Sequence, residues 1–162
     1  MTTMHQVKIY DTTLRDGAQR EGISFSVVDK IHICQKLDEL GIRYIEGGWP
    51  GSNPKDAEFF AQARSLHLVN AQVVAFGSSR RANSNAAGDS NLLALVESGM
   101  KIATIVCKNS ILQVTQVLRT TPEENLKMIS DSIEFLRDKG LVVFYDAEHF
   151  FDGFKADADY AL

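Results

Sequence analysis

Between Asp11 and Glu21 the chain reads DTTLRDGAQRE, a dense polar stretch directly behind the apolar run Val7–Tyr10. A carboxylate beside a guanidinium at the end of a buried strand suits two kinds of chemistry. Asp16 can hold a hard cation through oxygen. Arg15 can steady charge as it develops on a substrate oxygen. Gly17 can relax the backbone where it must approach another group closely. The same residue types also suit a solvated loop past a strand, and residue types alone leave both readings open. A second pair, Asp146 and Glu148, stands two residues apart, so on a strand both project to one side. Carboxylates so placed repel, which can lift one toward a pKa suited to proton transfer. A pair of solvated acids at a strand end is the alternative.

Weaker candidates have plainer explanations. His149 reads as a structural or loop residue, and His5, His32 and His67 have no ligand spacing. Cys107 ends an apolar run without an identifiable partner histidine, which argues against an acyl-enzyme. Arg80 and Arg81 read as a solvated basic loop rather than a phosphate site. Trp49 follows Gly47-Gly48, where its ring either walls a pocket or packs.

The elements that must position these groups alternate strand and helix. Strands are expected at Val7–Tyr10, Arg43–Gly47, Ala71–Phe76, Lys101–Cys107 and Leu141–Tyr145. Ser26 and Asp29 form a near capping box for a helix over 27–40, with Ile31, Cys34, Leu37 and Leu40 on its apolar face. Pro54 starts a helix to about Ser65, with Phe59, Phe60 and Ala63 inward. A short helix is expected over Asn91–Ser98, after a linker-like stretch, Ala82–Ser90. Thr121-Pro122-Glu123-Glu124 starts a helix to about Lys139, with Leu126, Ile129, Ile133 and Leu136 as its buried stripe. Asp157–Leu162 reads as the beginning of another.

The strands are near-continuous apolar runs, so both faces should be covered, as in a parallel sheet with crossover helices. Their starts near residues 7, 43, 71, 101 and 141 give a mean step of about 33, against roughly 31 in a (β/α)8 barrel of about 250 residues. An open doubly wound sheet fits the period almost as well. In either fold, functional groups collect past the carboxyl ends of strands. Arg15, Asp16 and Gln19, then Glu46, then Ser78, Arg80 and Arg81, then Lys108 and Asn109, then Asp146, Glu148 and His149 all obey that rule.

The 162 residues allow one domain, 1–162, with a real core. A formal net charge of -4 gives no electrostatic footprint for nucleic acid or an acidic membrane surface. No apolar run approaches the ~20 residues needed to span a bilayer. Two isolated cysteines and a polar start, MTTMHQ, make a reducing, cytoplasmic setting the expectation.

DTTLRDGAQ resembles the signature of the acyl-CoA/2-oxo-acid condensing enzymes, the isopropylmalate, homocitrate and citramalate synthase family, to which the hydroxymethylglutaryl-CoA lyases are related. YIEGGWPGSNPKD (Tyr44–Asp56) and FYDAEHFFDG (Phe144–Gly153) are most similar to its citramalate synthase branch. The likeness runs from about Val7 to Leu162. It implies an α/β fold of TIM (β/α)8-barrel type, here only about the first five units, hence an incomplete barrel. It implies condensation of acetyl-CoA with pyruvate to citramalate and CoA. The close alternative is 2-isopropylmalate synthase chemistry with 2-oxoisovalerate.

The resemblance also carries roles. Asp16 becomes a ligand to a divalent metal (Mg, Mn or Zn), and Arg15 polarises the ketone oxygen. Glu46 takes a direct chemical part or serves as a buried ion-pair partner orienting Arg15. Glu148 sits near Arg15 as a catalytic or positioning residue. Asp146 lies in the oxo-acid pocket, and Gln19 faces the acyl-CoA carbonyl. A homodimer is the expected assembly. One departure stands out: relatives supply further metal ligands from His-x-His, and no such motif occurs here. Five units would also leave sheet edges unpaired and apolar faces uncovered. A non-catalytic fragment or assembly module is therefore the rival reading for the chain by itself.

Overall fold

The computed structural model describes residues 7–162. Five parallel strands form one sheet in the order β1-β2-β3-β4-β5. They are β1 (Tyr10–Asp11), β2 (Tyr44–Gly48), β3 (Gln72–Ser78), β4 (Ile102–Lys108) and β5 (Val142–Glu148). The helices are α1 (Val27–Glu39), α2 (Pro54–Ala63), α3 (Ser90–Glu97), α4 (Ile111–Gln116), α5 (Pro122–Asp138), α6 (Phe150–Ala156) and α7 (Ala158–Ala161). A doubly wound sheet reverses its strand order at a switch point. This order never reverses, so the doubly wound alternative is excluded.

The sheet is strongly curled. Laid flat, β1 and β5 would stand about 19 Å apart, four strand spacings. Instead the rings of Tyr10 on β1 and Phe144 on β5 lie 6.0 Å apart, and Tyr44 meets Phe144 edge-on at 5.1 Å. The chain folds as five β/α units of a TIM-type barrel. Its concave side carries one set of alternating strand residues and its convex side the other. Ile45, Val73, Ala75, Ala103 and Ile105 face the helices and build the core with Cys34, Phe59, Phe60, Leu92, Leu95 and Leu136. Gly47 permits close packing there, since a Cβ would lie 2.4 Å from the Phe59 ring. The register shifts between Glu46 and Gly48 at that point.

Local signals set the helix starts. Ser26 Oγ accepts from the Asp29 amide while the Asp29 carboxylate accepts from the Ser26 amide, a full capping box. Thr121 caps α5 through the Glu124 amide, with Pro122 in the first turn. Asn53 and Asp89 cap α2 and α3.

Several expectations need correction. The first strand is only Tyr10–Asp11, and Val7 and Ile9 are 85% and 56% exposed rather than buried. The Asp11 carboxylate accepts from the Thr13 amide, a local turn that ends the strand at once. Leu40 and Leu126 are exposed, not on buried stripes. Helical spacing gives a face; it does not supply the neighbour. In α5 the buried positions are Asn125, Met128, Ser132 and Leu136. Coverage of both sheet faces fails at β5, where Val142 and Tyr145 are 55% and 42% exposed. Among the described residues β1 pairs only with β2 and β5 only with β4. Ala82–Ser90 is no slack linker: Asp89 is buried and accepts from the amides of Arg81, Asn91 and Leu92. His5 lies outside the described residues.

Candidate active site

The Asp11 turn and a single 3-10 turn, Gly17–Gln19, carry Arg15, Asp16 and Gln19 over the carboxyl ends of the strands. There they line a cavity of about 830 Å³ with Phe76, Lys108, Asp146 and Glu148. Gly17 has no special backbone to supply. It is absent from the positive-φ residues, and an added Cβ would meet Thr12 O at an ordinary 3.8 Å.

Arg15 is held from three sides. Its Nε donates to Glu46 Oε1 at 2.5 Å, and Nη1 donates to Asp16 Oδ1 at 3.1 Å. The guanidinium lies 3.8 Å from the Phe76 ring centroid. Two of five N–H groups are engaged, which leaves three without a partner among the described residues. Trp49 packs edge-on against Phe76, and its indole N–H donates to Asn91 Oδ1 at 2.6 Å. Trp49 thus both walls the cavity and packs, bracing the ring beneath Arg15.

Glu46, in the middle of β2, is 1% exposed. Its carboxyl oxygens accept from Arg15 Nε and from the Tyr10 hydroxyl, each at 2.5 Å. Burial pushes its pKa above the usual carboxylate range, and the nearby Asp146 charge adds to that; the two hydrogen bonds and the Arg15 charge pull it back. The structure brings Glu46 to Arg15 as an ion-pair partner.

Asp146 and Glu148 both project into the cavity from β5. Burial raises the Asp146 pKa; the Arg15 charge opposes this, while Glu148 and Asp16 add to it. Glu148 pairs with Lys108 rather than with Arg15. The register places those two directly opposite each other on β4 and β5. That cross-strand pairing is invisible to sequence spacing. The result is a concave, part-buried site in which an oriented cation faces carboxylates of unequal environment. It can bind an anionic or carbonyl oxygen and stabilise negative charge that develops there.

Arg80 overturns the solvated-loop reading. It is 3% exposed, paired to Glu124 at 2.7 Å and to Asp131 at 2.7 Å, and its amide donates to Ser132 Oγ. It clamps the loop after β3, part of the cavity wall, to α5. Arg81 beside it is exposed. Cys107 is buried, which pushes its thiol up to about 12, unsuited to a nucleophile at neutral pH. His149 precedes α6 with φ 56° and stands 3.8 Å from Asp152.

Residues 6–160 match the family model described as HMGL-like. The chain belongs to the HMGL-like family. Among its relatives, the (R)-citramalate synthase of Streptomyces coelicolor is 53% identical over 154 residues, covering 94% of this chain and 29% of that protein. The 2-isopropylmalate synthase of Sulfurisphaera tokodaii is 34% identical over 157 residues, covering 97% of this chain and 38% of that protein. The chain therefore spans about three-tenths of the length of the curated citramalate synthase it matches. The crystal structure of hydroxymethylglutaryl-CoA lyase from Pseudomonas aeruginosa superposes with a TM-score of 0.67 at 23% identity, covering 86% of this chain and 45% of that one. That likeness speaks for the fold.

A divalent metal in this HMGL-like chain would find one well-placed carboxylate, Asp16, whose side chain is 62% exposed at the cavity rim. No group of three or more His, Cys, Asp or Glu side chains converges on a possible metal position among the described residues. A hard cation takes about six oxygen ligands. The described residues do not form such a site. No described helix is long and apolar enough to cross a membrane.

Proposed function

We propose that this chain serves the condensation of acetyl-CoA with pyruvate to give citramalate and CoA. One observation carries the reading: Arg15 is anchored from behind by Glu46 and Phe76, with three N–H groups left for the cavity. The likeness to citramalate synthases supports the choice of acceptor.

In this reading the pyruvate ketone oxygen lies against the Arg15 guanidinium. Once a base has taken a methyl proton from acetyl-CoA, the enolate carbon attacks the ketone carbon, and the carbonyl π pair moves to an oxygen that later takes up a proton. Arg15, already oriented, stabilises that alkoxide without rearrangement. Gln19 faces the acyl-CoA carbonyl, and Asp146 shapes the oxo-acid pocket. Glu148 acts near the reacting groups, its charge tempered by Lys108. Water then hydrolyses the thioester to release CoA. Asp16 is the residue proposed to meet a divalent cation. A homodimer in the cytoplasm completes the proposal.

The test is CoA-thiol release by the natural gene product, supplied with acetyl-CoA and either pyruvate or 2-oxoisovalerate. A branched side chain in place of a methyl changes specificity by about 1–3 kcal/mol per methylene, tenfold or more. The proposal expects the higher kcat/KM with pyruvate. A higher value with 2-oxoisovalerate assigns the site to isopropylmalate chemistry, and no oxo-acid-dependent release rejects condensation altogether.

A further inference from the structure

Behind Glu46 lies a hydrogen-bonded chain that the reaction as described does not use. The Tyr10 hydroxyl stands 2.5 Å from Glu46 Oε2 and 2.7 Å from Thr104 Oγ1. These three residues come from β1, β2 and β4, and Thr104 is buried. The Tyr10 ring is itself fixed, 6.2 Å from Tyr44 and 6.0 Å from Phe144 between centroids.

The chemistry of the groups sets the proton positions. A carboxylate only accepts, and a phenol has one proton. That proton goes to Glu46, so the Thr104 hydroxyl donates to the phenol oxygen. The bonds then run in one direction, Thr104 to Tyr10 to Glu46 Oε2, while Arg15 Nε donates to Glu46 Oε1. Bonds aligned in this way polarise one another. Packing alone does not require the hydroxyl, because a phenylalanine ring would fill the same space against Tyr44 and Phe144. The oxygen matters for Glu46, which has one donor on each carboxyl oxygen.

We propose that Tyr10, backed by Thr104, is a positioning residue that keeps Glu46 an oriented carboxylate and so locks the Arg15 guanidinium toward the cavity. The inference rests on the reading of Arg15 as the group that meets the oxo acid. Without the phenol, Glu46 keeps a single donor in a buried site, and its neutral form is favoured. The groups facing it are Tyr10 and Thr104, Arg15 from the loop after β1, and the Asp146 charge from β5. A neutral Glu46 no longer holds Arg15 in an ion pair, and the guanidinium is then free to turn toward Asp146.

The experiment uses Tyr10→Phe and Thr104→Val in the natural gene product. Glutamate carboxyl carbons are labelled with 13C, and the Glu46 signal is assigned by its loss in Glu46→Gln. Removing one hydrogen bond to a charged group moves the Glu46 titration midpoint up by about one to two pH units. The acid limb of kcat against pH should move by the same amount in Tyr10→Phe, with KM for acetyl-CoA unchanged. Thr104→Val should give a smaller shift in the same direction. An unmoved Glu46 signal in both variants overturns the proposal, as does a pH-independent loss of rate with no titration shift. A shifted Glu46 signal with an unmoved kcat limb instead overturns the assignment of Arg15, so the two failures are distinguishable.

Discussion

Replacing Arg15 by lysine retains the charge and removes the fork. In the native site Nε is spent on Glu46 at 2.5 Å while the outer nitrogens reach Asp16 and the cavity. A lysine gathers its three N–H donors on one nitrogen, so once that nitrogen sits against Glu46 they cannot span Glu46, Asp16 and the cavity as the fork does. Because Glu46 is 1% exposed, the ammonium turns to Glu46 and the cavity loses its donors. Loss of one oriented donor to a developing oxyanion lowers kcat by about 10²–10³, or ~2.7–4 kcal/mol. Stability should fall far less. The ion pair survives, and the stacking on Phe76 forfeits about 0.5–1 kcal/mol. Arg15→Met differs, since it strips the counter-charge from a buried carboxylate. That change costs toward the lower end of ~3–5 kcal/mol, because the Arg15 side chain is itself 16% exposed. The assays are CoA-thiol release for kcat and urea midpoints for stability. If Arg15→Lys retains kcat within tenfold of wild type while folding normally, the oriented fork is not what the site uses.

Other parts of the structure lead to three more expected outcomes. Lys30 and Asp56 form a buried ion pair behind the site, in which Lys30 also donates to Gly47 O and Asp56 accepts from the Trp49 amide. Lys30→Met should destabilise by about 3–5 kcal/mol, and Lys30→Met with Asp56→Leu should cost clearly less than the two single changes added; additive urea midpoints would sink that view. Gly153→Ala drives a Cβ to 2.1 Å from Asn109 O, so α6 must shift off the segment that follows β4 and the melting temperature should drop by several degrees. Asp146 concerns pH. Its folded pKa is raised, chiefly by burial, so its stabilising share is full below the unfolded value near ~3.9 and lost as pH rises through the folded value. Asp146→Asn should therefore match wild type in urea midpoint near pH 3.5 and exceed it at pH 7. Equal gaps at both pH values would show that the carboxyl is not strained.

The repeating strand and helix starts were readable because their signals are local. Ser26 with Asp29 and Thr121 before Pro122 act within a few residues, and the structure uses Ser26 and Thr121 as caps; Pro54 likewise opens its helix. The rim was readable for a related reason, since parallel strands deliver their succeeding loops to one end of the sheet. What escaped the sequence depends on partners far along the chain. Arg80 looks like a loop cation until Glu124 and Asp131 close on it from α5. Tyr10 looks like a strand aromatic until Thr104, 94 residues away, meets its hydroxyl. Lys108 and Glu148 become a pair only through the β4–β5 register. Leu40 and Leu126 show the converse: a helical apolar position says nothing of whether a neighbour covers it.

The most direct test of the account is a crystal structure of the natural gene product with pyruvate bound. The account predicts the ketone oxygen within hydrogen-bond distance of the Arg15 guanidinium, on the side away from Glu46, with Asp146 lining the same pocket. Pyruvate bound elsewhere, or an Arg15 turned away from it, would contradict the central claim that this anchored guanidinium is where the oxo acid is held.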